Sequence, residues 1–203
     1  MRRHWLHILV LMGLALTGGD GDARSLYLAT HKLETPEMKM SRAVHHWTRN
    51  ALADVDVADR ISRTVLEESR RYRFDPLFIL AVIEHESRFI HTMEGMKGEI
   101  GLMQVRPTTA EWIARKYGMP WRGKQMLKNP ILNIRIGAAY LFFLRKVFNS
   151  PGTLYISAYN MGPRRTRELR SQKIITSQYA NSVIQAYQRI QSEFVVKNDS
   201  LKR

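Results

Sequence analysis

The stretch AVIEHESRF, Ala81 to Phe89, sets two carboxylates, Glu84 and Glu86, two residues apart behind an apolar run, with His85 between them. Three chemistries are open to such a cluster: a solvated ion pair, a metal site, or a proton donor whose carboxyl is kept neutral by burial. On a helix, successive residues turn by about 100°. Measured from Ile79, the residues Val82, Ile83 and Glu86 fall within about 60° of one line, so Glu86 continues the stripe expected to face the core. A carboxyl on that stripe loses hydration and its pKa rises, which suits it to general acid chemistry. Glu84 lies on the opposite side, four residues before Arg88, the spacing of a solvated i,i+4 ion pair. His85 points elsewhere and has no HExxH or comparable ligand spacing around it, so no metal centre is expected and the histidine is assigned to the surface. Taken alone, the pattern also fits a helix end whose last stripe residue has returned to solvent.

The element that carries Glu86 has a firm start, because Asp75 is a capping residue and Pro76 suits a first helical turn. Helix signals dominate from Ser41 onward and predict helices over roughly 41–52, 57–72, 76–88, 107–117, 130–148, 152–160 and 177–194. Asn149, Ser150, Pro151 and Gly152 break the chain between two of them. Only short extended pieces are expected, between Ile90 and Val105. The prediction is an all-α fold with a single domain over 55–195, a lead-in over 24–54 with one helix, and a tail over 196–203.

Four segments, read in order, resemble a known family. Glu86, Ser87 and Phe89 form E-S-x-F; GLMQVRPTTA follows at Gly101–Ala110, NIRIGAAYL at Asn133–Leu141, and AYNMGP at Ala158–Pro163. In this order and spacing they resemble the soluble lytic transglycosylase (SLT) domain, family 1 of the lytic transglycosylases, whose fold is similar to goose-type lysozyme. The resemblance covers about 60–190. It implies cleavage of the β-1,4 bond between N-acetylmuramic acid and N-acetylglucosamine in peptidoglycan, with 1,6-anhydro-muramic acid ends and no cofactor. Glu86 matches the family's single catalytic acid/base. Met103 and Gln104 match the segment lining the sugar groove, with core packing the alternative for Met103, and Tyr159 and Asn160 match the segment beside the acid. The resemblance implies that a tyrosine hydroxyl and side-chain amides hold sugar hydroxyls and acetamides. Tyr140 and Leu141 are assigned to the core.

The chain departs from the family pattern in places. In GMKGEIG, Gly95 stands at a serine's position and Glu99 where alanine is usual, so Glu99 is a candidate second carboxylate at the cleft. Arg106 stands where methionine is common, either as a surface residue or facing an acidic stem peptide. Of a C-terminal E-T-x-x-Y-V pattern, Ile175, Thr176, Tyr179 and Ala180 keep only the threonine and the tyrosine, and Tyr179 is assigned to the groove. Ordinary glycosidases pair an acid with a second carboxylate. Here there is no aspartate between Pro76 and Asn198, which suits a reaction that needs none.

The formal net charge of +14 points to an anionic partner: nucleic acid, a membrane surface or an acidic polymer. Zero cysteines exclude disulfides, thiolate metal ligands and a lipid-bearing N-terminal cysteine. Arg2 and Arg3 precede an apolar run from Trp5 to about Thr17, followed by small residues, the layout of an export signal over 1–23. Cleavage is expected before Arg24 or nearer Gly18, with an uncleaved membrane anchor as the alternative. The expected location is the periplasm and the expected partner is the peptidoglycan glycan strand, with an envelope protein complex as a further candidate. Two rival readings remain, a peptidoglycan-binding module without turnover and a basic helical protein for nucleic acid or membranes. The latter lacks a recognisable nucleic-acid motif, so nucleic acid is not expected as a partner.

Overall fold

Most helices begin where the sequence supplies a cap or a proline in the first turn. This computed structural model describes residues 35–149, 152–174 and 177–200. Among them are eight α-helices: α1 (Pro36–Ala51), α2 (Val55–Tyr72), α3 (Pro76–Ser87), α4 (Pro107–Tyr117), α5 (Pro130–Phe148), α6 (Thr153–Met161), α7 (Pro163–Ser171) and α8 (Gln178–Ser200). A short 3₁₀ helix, Lys124–Lys128, precedes α5. Asp54 caps α2 by accepting from the Val57 N–H at 3.0 Å. Asp75 caps α3 through Leu77 at 2.8 Å, and Asn129 caps α5 through Ile131 and Leu132. The expected extended pieces are isolated antiparallel bridges pairing Glu94 with Ile100 and Ile100 with Val105.

The all-α prediction holds, with differences at its edges. Helix α7 was not anticipated, because PRRTRELRS carries five charged residues and only Leu169 as a large apolar one, too little for a periodic signal. Helix α8 continues to Ser200, past the expected end at 194 and into the predicted tail. A compact unit runs from Met40 onward, and within it α1 buries Val44 and Thr48 and links to α2 through the Thr48 and Ser62 hydroxyls. The preceding unit, Met1–Lys39, is described only from residue 35, where the Thr35 hydroxyl accepts from the Met38 N–H. The predicted export signal and residues 24–34 of the lead-in lie outside the described residues, as do Ile175 and Thr176. Among the described residues no helix is long and apolar enough to cross a membrane.

The sequence treats α3 as one-faced, and the structure corrects that. Every residue from Leu77 to Ile83 is buried, so the helix passes through the middle of the core. Its most extensive neighbour is α8. Two polar links fix that pairing away from Glu86: Tyr187 donates to Asp75 at 2.8 Å, and Arg189 pairs with Glu84 at 2.6 Å. The second replaces the expected Glu84–Arg88 pair. Arg88 is instead the left-handed cap of α3, its N–H bonded to the Glu84 carbonyl at 3.0 Å.

Candidate active site

Glu86 sits in the last turn of α3, where the buried helix emerges onto the floor of a cleft of about 310 Å³. Burial pushes its carboxyl up to about 7; a hydrogen bond donated by the Tyr179 hydroxyl pulls the other way, and the negative charge of Glu99 adds to the rise. A carboxyl poised there holds a proton at neutral pH and can take it back, the requirement for one group acting first as acid and then as base. Tyr179 is on α8, and burial first, then the charge of Glu86, raise its hydroxyl far above the ordinary range, so it acts as a fixed donor. His85 is exposed, as expected, and meets the Tyr179 ring edge-on at 5.0 Å.

One wall of the cleft is the loop 95–106, and its shape depends on buried hydrogen bonds. The Ser87 hydroxyl donates to the Leu102 carbonyl at 2.8 Å, tying the loop to the helix that bears Glu86. Asn133, fully buried on α5, accepts from the Met103 N–H at 2.8 Å and donates to the Ile100 and Leu127 carbonyls at 2.8 and 2.9 Å. The Tyr159 hydroxyl donates to the Met103 carbonyl at 2.8 Å. Gln104 holds a left-handed φ of 45° and donates from Nε2 to the carbonyls of Gly101 and Met93.

These bonds alter several expected roles. Met103 does not line the groove; its side chain is fully buried and fills the space over Gly137, where any Cβ would overlap its sulfur. Tyr159 borders the cleft, but its hydroxyl is committed to the loop and not open to sugar. Gln104 lines the cleft with its amide nitrogen already engaged. Asn160 is exposed on the cleft wall, and its amide has no hydrogen bond among the described residues. Tyr140, assigned to the core, is 9% exposed, yet it lines the cleft beside the Tyr159 ring, 5.3 Å away. Glu99 and Arg106 both border the cleft and bond to each other at 3.0 Å. Burial opposes ionisation of Glu99, but the N–H groups around it and Arg106 outweigh this and hold its carboxyl below the usual range. Ser87 and Asn133 were not singled out in advance. Both lie inside the recognised segments, and for Asn133 a polar residue between Leu132 and Ile134 was the available signal.

Two variants test the electrostatics directly. Tyr179→Phe removes a hydrogen bond to the ionised form of Glu86, so the pKa of Glu86 rises and the alkaline limb of the pH–rate profile moves up. Glu99→Ala removes a repelling charge and moves that limb down. A profile that stays in place for either variant shows that the corresponding contact does not set the acidity of Glu86.

An all-α domain with one neutral-poised carboxyl on the floor of an open cleft fits the class of lysozyme-like folds. Within that class the chain belongs to the transglycosylase SLT domain family, whose model matches residues 63–181. It is 35% identical over 147 residues to a membrane-bound lytic murein transglycosylase C from Glaesserella parasuis, covering 67% of this chain and 40% of that protein. It is 31% identical over 91 residues to the soluble lytic murein transglycosylase of Escherichia coli K12, covering 44% of this chain and 14% of the relative. The chain thus spans well under half the length of these relatives. Among solved structures, the lytic transglycosylase Slt of Pseudomonas aeruginosa, determined as an inactive glutamate-to-glutamine mutant, superposes with a TM-score of 0.58 at 25% identity, over 84% of this chain and 32% of that one.

Proposed function

We propose that the protein is a peptidoglycan lytic transglycosylase that cleaves between N-acetylmuramic acid and N-acetylglucosamine and leaves 1,6-anhydro-muramic acid ends. The observation that carries this reading is Glu86, a carboxyl at about 7 on the cleft floor, with Glu99 the other carboxylate bordering that cleft and engaged by Arg106. Glu86 protonates the leaving glycosidic oxygen. The acetamide of the muramic acid residue stabilises the cationic centre that forms. Glu86, now ionised, takes the proton of the C6 hydroxyl as that oxygen closes on the anomeric carbon. Tyr179 steadies the carboxylate between the two steps, and the free amide of Asn160 is placed to meet sugar substituents. A tethered hydroxyl held near the reacting carbon has a high effective concentration and prevails over water when no second base is assured.

The substrate lies outside the cytoplasm, so the same reading includes export to the periplasm by the segment 1–23. The charge of +14 favours approach to an anionic wall, in a salt-sensitive way. Mass spectrometry of products from purified sacculi tests the function: the expected muramic acid ends are one water lighter than the reducing sugar. Predominantly reducing ends in fresh digests would instead mark a hydrolase with Glu99 as its base, and absence of soluble fragments would mark a binding module.

A further inference from the structure

Gly95, Glu99 and Arg106, the three departures from the family pattern around the cleft, form one packed unit. A Cβ at Gly95 would stand 2.7 Å from Oε2 of Glu99 and 2.7 Å from Oε1 of Gln104. Glu99 therefore occupies the volume that a side chain at position 95 requires. Its carboxylate is held at both oxygens: Oε2 accepts from the Lys97 N–H at 3.0 Å, and Oε1 from Arg106 Nε at 3.0 Å. The Arg106 side chain is 48% exposed against 21% for Glu99, so the carboxylate is the sheltered member and the guanidinium faces the opening. With Nε taken, the edge bearing Nη1 and Nη2 has no protein partner among the described residues. That edge is a planar fork matched to one carboxylate, and a guanidinium already oriented loses less freedom on binding it. Lys97, also on the cleft lining, adds positive charge beside it.

We propose that Arg106, positioned by Glu99, is a carboxylate-binding subsite on the cleft wall that selects glycan strands whose stem peptides keep free carboxylates. In intact peptidoglycan the lactyl group of muramic acid is an amide, and negative charge resides on the stem residues. Removal of the stem by an amidase bares the lactyl carboxylate instead. The two sources share one chemistry, and the stem is the one that an intact strand presents. The subsite rests on the lytic reading of Glu86, but its test separates the two.

Soluble strands are prepared with intact stems, with stem carboxylates converted to amides, and with stems removed by an amidase. The parent protein is expected to favour the intact strands over the amidated ones by about tenfold in kcat/KM, carried by KM. Arg106→Met removes that preference, and Arg106→Lys keeps part of it because charge remains without the fork. Glu99→Gln weakens the preference by releasing the guanidinium. Equal turnover of intact and amidated strands by the parent, with anhydro ends from both, overturns the subsite and leaves the lytic reading standing. A preference for amidase-treated strands overturns the stem as ligand in favour of the lactyl group. A readout independent of turnover uses Glu86→Gln: the intact strand is expected to bind about tenfold more weakly when Arg106→Met is added, and unchanged affinity overturns the proposal.

Discussion

Glu86→Gln lowers the release of soluble fragments from sacculi by about 10³-fold or more, because the amide keeps the shape of the side chain but can neither donate nor recover the proton. The variant stays folded and becomes more stable at alkaline pH. The sign follows from the raised carboxyl: the folded protein holds this proton up to about pH 7, whereas an unburied glutamate releases it near 4.5. Between those values the folded state binds more protons, so stability falls as pH rises and the full loss is present above pH 7. Glutamine removes that loss. A gain on the order of 2 kcal/mol is expected at pH 8 and little difference at pH 4. Glu84→Gln, which breaks only a partly exposed pair with Arg189, retains activity. An active Glu86→Gln, or an inactive Glu84→Gln, overturns the assignment of the acid.

Asn133→Ala is the substitution expected to damage the fold around the site most. One buried side chain serves the Met103 N–H and the carbonyls of Ile100 and Leu127, so alanine strands the Met103 N–H and the Leu127 carbonyl, while Ile100 keeps the Val105 N–H, and leaves a void. The expected cost is about 3–5 kcal/mol, since each buried unsatisfied group costs on the order of 1–3 kcal/mol and partial relaxation recovers some of it. Urea denaturation measures the stability, and activity per folded molecule measures the site. Both should fall, because the same bonds shape the loop that carries Gln104, Glu99 and Arg106. A loss under about 1 kcal/mol would mean that the Ser87–Leu102 and Tyr159–Met103 bonds hold the loop without Asn133.

The sequence by itself determined the helical class, the start of α3 at Asp75–Pro76, the ends of α4 and α5, and the carboxyl to suspect. These depend on signals that act within a few turns: caps, prolines, and a polar residue where the apolar period expects another. Its reason for Glu86 was incomplete. A stripe argument singled the residue out, but its raised pKa arises because the whole of α3 is enclosed and ends at the cleft. Charge-rich α7 was missed for the complementary reason, that it presents too little apolar surface for periodicity to register.

Only the tertiary structure decided what each recognised residue does. Met103 and Gln104 are neighbours in one segment, yet one fills the core over Gly137 and the other borders the cleft, because the left-handed turn at Gln104 separates their directions. Tyr159 spends its hydroxyl on the Met103 carbonyl, 56 residues away in sequence, while Tyr179 reaches Glu86 across 93. Glu84 takes Arg189 on α8 in place of the nearer Arg88. Glu99 fits against Arg106 only where Gly95 leaves room. Such partners are chosen by which helices pack together and by which buried donors and acceptors then remain to be satisfied, and no spacing along the chain encodes that.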